Sequence, residues 1–160
     1  MPGLIPEFTQ ADIDRKIDAF KRKKIKDMFE VLSNIGIKCV NFARKRQPLG
    51  TKLIPAPGGG FWDRSGNLRS SIGYAVIFDG KVGIEKYEQV GQGAEGVSAG
   101  KSLVDKLAKE FNRGFVLVVT AGMEYAAAVE SKKYDVITGS SYEGERWAAF
   151  MKEKLGVGIR

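Results

Sequence analysis

The sequence predicts an α+β domain: an antiparallel sheet of about four strands packed against a long N-terminal helix, with shorter helices on the same face. Three observations carry this. Apolar residues recur mostly at spacings of three and four from Ile13 to Phe42, an alternating strand pattern lies at 68–78, and a β-branched run at 115–121. Asp79-Gly80, between two such runs, is a strong hairpin signal. With 160 residues, 43% of them hydrophobic and 28% charged, the chain suits one domain whose core needs neither disulfide nor metal.

Residues 1–10 read as an arm. Pro2, Gly3 and Pro6 oppose regular structure, while Leu4, Ile5 and Phe8 are apolar enough to dock on the domain or on a neighbouring subunit. Thr9 or Asp12 can cap a helix running to about Arg46. Ile13, Ile17, Phe20, Met28, Leu32, Ile35, Cys39 and Phe42 form one stripe along it, facing a core or a partner. Lys21, Arg22, Lys23, Lys24 and Lys26 interrupt that stripe, so the helix is expected to project past the domain there. Gly36 marks an expected kink or break. Cys39 falls on the stripe and reads as a small buried hydrophobe rather than a reactive thiol.

Residues 47–60 form a flexible Pro- and Gly-rich loop, after which Phe61 and Trp62 anchor the chain back onto the core. The Ser65-Gly66-Asn67 turn opens a strand over 68–78, and 81–90 returns antiparallel. Residues 91–100 read as a second flexible, Gly-rich loop. Lys101 to Asn112 suits a short amphipathic helix ended by Arg113-Gly114, and Phe115 to Ala121 a buried strand. Met123 to Lys132 suits helix or strand, and Tyr134 to Thr138 a fourth strand. Ser140 and Glu143 have capping-box spacing before a closing helix that presents Trp147, Phe150, Met151 and Leu155 on one side.

Composition narrows the functions. The chain has no histidine, which removes Ser-His-Asp and Cys-His catalysis and imidazole zinc sites. A site built on Asp, Glu, Lys and Tyr is still chemically open, but Glu124, Glu130, Asp135, Glu143 and Glu145 show no spacing that forces an acid–base pair. Glu130 and Asp135 stand beside Lys132 and Lys133 and read as solvated ion pairs. The lone cysteine, a longest apolar run of only Phe115 to Val119 and an N-terminus without a signal-peptide pattern suggest a chain made and first folded in a cytoplasm, with no membrane partner.

The net charge of +7 is uneven. Residues 15–46 hold 11 Lys and Arg against 3 Asp and Glu, so the excess belongs mainly to the long helix. Such a helix is either a solvated face or an attractor for nucleic acid or an acidic protein surface. The candidate interaction or DNA-facing residues are Lys21, Arg22, Lys23, Lys24, Lys26, Arg44, Lys45 and Arg46, joined by Arg64 and Arg69 around the Ser-Gly-Asn turn. Gly91, Gly93 and Gly96 match a dinucleotide fingerprint, and Gly100-Lys101-Ser102 the end of a P-loop. Glu95 stands where the P-loop needs glycine, and the strand before Gly91 is polar, so no nucleotide or other cofactor is implied.

The order of basic helix, Pro-containing loop, Ser65-Gly66-x-Leu68-Arg69-x-Ser71-Ile72, then Gly122-x-x-Tyr125-Ala126 and Val129-Glu130 resembles the small head–tail joining, neck or tail-completion proteins of long-tailed bacteriophages. The similarity runs from about residue 10 to 140. It departs at Lys132-Lys133, where such proteins often carry glycine, and at 91–100, which looks like an insertion. The resemblance implies a virion protein without enzymatic activity, made in the cytoplasm of the bacterial host. It implies a homo-oligomeric ring of six or twelve subunits at the head–tail junction, meeting head-closure or adaptor proteins, tail proteins and DNA in the channel. A tail terminator and a stand-alone basic nucleic-acid-binding protein are the alternative readings.

Overall fold

Thr9 opens the first element with a reciprocal cap. Its hydroxyl accepts the Asp12 N–H at 3.3 Å, while the Asp12 carboxylate accepts from the Thr9 hydroxyl at 2.6 Å and from the Thr9 N–H at 2.9 Å, two bonds that, the hydroxyl's first, hold it below its ordinary pKa. From there α1 (Gln10–Lys45) runs unbroken for 36 residues. The computed structural model describes residues 8–45, 63, 65–132 and 134–155; the expectations for residues 1–7, for the loop at 47–60 and for Phe61 and Trp62 lie outside these.

After α1 come α2 (Asn67–Ser71), β1 (Ile72–Phe78), β2 (Lys81–Lys86), α3 (Ala94–Ala108), β3 (Phe115–Ala121), α4 (Ala126–Ser131) and α5 (Thr138–Leu155). The sheet is antiparallel in the order β2-β1-β3. Asp79 (φ 48°) and Gly80 (φ 79°) are both left-handed, the geometry of a two-residue turn matched to strand twist, so the hairpin signal is met. Val76 pairs with Ile84 but Ile77 with Val82, leaving Gly83 as a bulge over which the Phe29 ring lies.

β1 is buried from Ile72 to Ile77 because both of its faces are covered. Alternation sends Tyr74 toward α1, where its hydroxyl meets Ser33 Oγ at 2.6 Å. Gly73 points the other way, against the Tyr87 ring, whose hydroxyl donates to Gly100 O of α3 at 3.0 Å and pairs with Thr120 Oγ1 at 2.6 Å. Ile72, Val76 and Ile77 are wholly buried, each such side chain worth about 1.5–3 kcal/mol. Phe29, Phe78 and Phe115 close one end of the sheet, the last two stacked with centroids 4.3 Å apart.

The α+β class and the long helix with its adjoining antiparallel sheet are as expected, and five details differ. Helices cover both faces of the sheet, not one. The strand expected from Leu68 begins at Ile72, because residues 67–71 coil into α2, where Ser71 Oγ donates to Leu68 O at 2.7 Å. The second Gly-rich loop is instead the start of α3: a Cβ at Gly96 would lie 2.7 Å from the carbonyl carbon of Asn67, so the glycines admit α2 against α3. Gly36 neither kinks nor breaks α1; a side chain there would meet the Tyr74 ring, its Cβ 2.5 Å from Cγ. Tyr134 to Ile137 make no strand, which leaves three strands among the described residues.

The start of α5 explains that last difference. One carboxylate oxygen of Glu130 accepts the N–H of Val136 and Ile137 at 2.8 and 3.2 Å, and the other that of Thr138 at 3.1 Å. Asp135 accepts the N–H of Gly139 at 2.8 Å. Backbone donors that a fourth strand would have used are turned onto carboxylates at a helix N-terminus. Glu130 and Asp135 thus both hold backbone at this helix start, a role that the sequence did not suggest. Ser140 lies inside α5 and donates to Ile137 O at 2.7 Å rather than capping it.

Candidate interaction surface

Gln10 to Lys24 of α1 stand clear of the body. Residues 14–24 are all exposed and buried positions on this helix begin only at Ile35, so an exposed stretch of about 16 Å precedes the rooted part. Ile17 is 45% exposed and Phe20 60%, so this part of the apolar stripe is open to solvent. Lys21, Arg22, Lys23, Lys24 and Lys26 are all exposed, and Lys24 Nζ sits 5.5 Å from the Phe20 ring centroid. The projection expected at the basic cluster is therefore present. It combines a bare apolar stripe with seven Lys and Arg against one Asp over residues 15–26.

The other candidate residues gather elsewhere. Arg44 is 8% exposed: Nη1 donates to the Glu88 carboxylate at 2.8 Å, and Nη2 to Ile72 O at 2.8 Å and Glu88 O at 3.1 Å. Burial pushes its pKa down, against the pull of Glu88. Arg69 donates to Arg44 O at 2.8 Å, closing the C-terminal end of α1. These two guanidiniums tie α1 to the sheet and do not form an exposed basic surface. Lys45 is exposed, about 30 Å along the helix from Lys24. Arg46 and Arg64 lie outside the described residues.

The motif residues at 63–72 act as a knot. Asp63, 5% exposed, accepts the N–H of Gly66 at 3.0 Å and of Arg69 at 2.7 Å. Gly66 takes φ 86°, and Ser70 Oγ accepts the Val90 N–H at 2.8 Å. Gly122 N–H reaches Ser71 O at 3.3 Å, and a Cβ at Gly122 would press on the Gly100 backbone. Glu95 in the first turn of α3 accepts from Asn67 Nδ2 at 2.9 Å, and its negative charge there disfavours a phosphate at this helix end.

A second feature lies beside the rooted half of α1. Met28, Val31 and Leu32 of α1, Leu117 and Val119 of β3, and Gly144 and Ala148 of α5 enclose an apolar groove of about 480 Å³. β3 is a sheet edge, and Phe115 to Val119 are only half-buried along it. Glu145 stands exposed at the groove, and Cys39, 1% exposed, forms part of its floor; burial, reinforced by Glu143, pushes the thiol pKa up. Sequence reasoning missed this groove. Its available signal was an uncharged strand at a sheet edge, together with the small residues Gly144 and Ala148 four apart on α5. No helix among the described residues is long and apolar enough to cross a membrane. Comparison with protein-family models, with curated proteins and with solved structures finds no match for this chain.

Proposed function

We propose that this chain is a structural protein of a bacteriophage virion, a neck or tail-completion component that assembles as a ring at the head–tail junction and links the portal side to the tail. It does no covalent chemistry in this reading. The observation that carries it is the projecting half of α1: a rigid element rooted in the core that holds Ile17 and Phe20 bare among basic residues. An uncovered apolar patch with a charged rim is the mark of a surface made to be covered by another macromolecule. The resemblance around Ser65–Ile72 and Gly122–Glu130 supplies the kind of assembly, with tail terminator as the variant role.

The test is electron microscopy of lysates from the phage of origin with this gene deleted. Filled heads and finished tails lying apart are expected; tails of abnormal length point to the terminator role, and normal infectious particles overturn the assignment.

The five exposed basic side chains at 21–26 favour one rival, a stand-alone DNA-binding protein. That reading predicts duplex binding that weakens steeply with salt and is lost when Lys21, Arg22, Lys23 and Lys24 are changed to Glu, in a chain that forms no rings.

A further inference from the structure

We infer that the apolar groove between α1, β3 and α5 receives the projecting half of α1 from a second copy of this chain; this rests on the assembly reading above and names the surfaces that make the contact. The groove has Ile35 and Cys39 as its floor and Val31, Leu117, Val119 and Ala148 among its walls. A concave apolar space of about 480 Å³ fits a few large side chains. The same chain carries a stripe of that kind. Exposed Ile17 and Phe20, with half-buried Ile13 before them, follow one another at four and three residues on the projecting half, the anchor spacing of a helix laid into a groove.

Within one molecule the two cannot meet. Phe20 lies on the same unbroken helix as Met28 and Val31 of the groove wall, about 12 Å before Met28, and a continuous helix cannot fold back on itself. A second copy brings a matched stripe.

Charge selects the mode of pairing. Two projecting halves laid side by side bring together segments that each hold six Lys and Arg against three Asp over residues 10–24, with the basic residues concentrated at 21–24, and they repel. The groove instead offers Glu145, which is exposed and has no ion pair among the described residues. Lys16 and Lys24 flank the Ile17–Phe20 stripe and supply its opposite charge. Stripe into groove is a heterologous contact. It repeats from copy to copy until it closes as a ring or runs on as a filament.

The test uses the full chain. Sedimentation over a concentration series is expected to show self-association that Phe20→Asp weakens at least about thirtyfold, the loss typical of a central anchor. Phe20 is exposed and distant from the core, so this change leaves the fold intact. Glu145→Lys is expected to weaken association and the added changes Lys16→Glu and Lys24→Glu to restore it. In a Cys39→Ala background, Phe20→Cys chains mixed with Ala148→Cys chains should cross-link between the two kinds. A chain that is monomeric at every concentration overturns the contact, as does cross-linking between two Phe20→Cys chains with none to Ala148→Cys. Assemblies indifferent to Phe20→Asp sink the groove contact alone, because the deletion-lysate particles decide the joining role separately.

Discussion

Gly36 and Tyr74 meet face to face: the Tyr74 ring fills the space that a Cβ at Gly36 would occupy, and Tyr74 reaches on to Ser33 Oγ at 2.6 Å. The helix can lie this close to β1 only because residue 36 has no side chain. Gly36→Ala is therefore expected to destabilise by about 1–3 kcal/mol, although alanine is intrinsically the better helix former by about 1 kcal/mol. Urea denaturation gives the sign; a gain in stability would show that the ring yields freely.

Gly96 presents a harder case. Its missing Cβ would lie on the backbone of Asn67, which cannot rotate away as a side chain can. Gly96→Ala should cost about 3 kcal/mol or more and separate α2 from α3. Amide exchange of α2 reads this directly: unchanged protection there would refute a tight crossing.

Arg44 and Glu88 form an ion pair of unequal partners, with 9% and 82% of their side chains exposed. Glu88→Gln is expected to cost under about 1 kcal/mol, because an exposed carboxylate contributes little. Arg44→Leu should cost about 2–3 kcal/mol, because it strips the buried Ile72 carbonyl of its guanidinium donor. Equal losses in chemical denaturation would mean that the charge pair, and not the carbonyl contact, holds the end of α1.

Tyr87 gives a pH dependence. Burial, opposed by the Thr120 hydrogen bond, pushes its phenol up to about 12 from an ordinary value of 10.0. The folded state then keeps a proton that the unfolded chain releases first. Stability from this group is full below about pH 10 and is lost as pH rises toward 12. Tyr87→Phe should flatten alkaline unfolding over that window while lowering stability at neutral pH. Ultraviolet titration that finds every phenol ionising near pH 10 would remove the explanation.

Glu130 holds the first turn of α5 through three backbone N–H groups. Glu130→Ala is expected to destabilise by about 1–3 kcal/mol and to raise exchange of the Val136, Ile137 and Thr138 amides most. An effect no larger at those amides than at β1 would make the loss a global one.

What was legible in the sequence followed local rules. The Thr9–Asp12 cap, the Asp79-Gly80 turn, the helical stripe and the β-branched run of β3 each depend on residues a few positions apart. What was not legible depended on distant partners. Nothing near Gly36 announces Tyr74, nothing near Gly96 announces Asn67, and glycines read as breakers proved to be points of close approach. Glu130 looked like a surface charge because the amides that it holds lie on the next element. The candidate site divided along the same line. Lys21, Arg22, Lys23, Lys24 and Lys26 lie exposed along α1, while Arg44 and Arg69 are turned onto carbonyls that come from β1 and from the end of α1, which no local pattern announces.

The unbroken course of α1 has a mechanical consequence. A jointed arm would absorb a pull at its tip, but this helix has no joint between Phe20 and Gly36, so both ends move as one rod. Whatever grips Phe20 pulls in series on the contact between Gly36 and Tyr74 and, through Arg44, on the first residue of β1. The projecting half is a lever whose fulcrum is the core, so a force applied at its tip would be transmitted to the middle strand of the sheet.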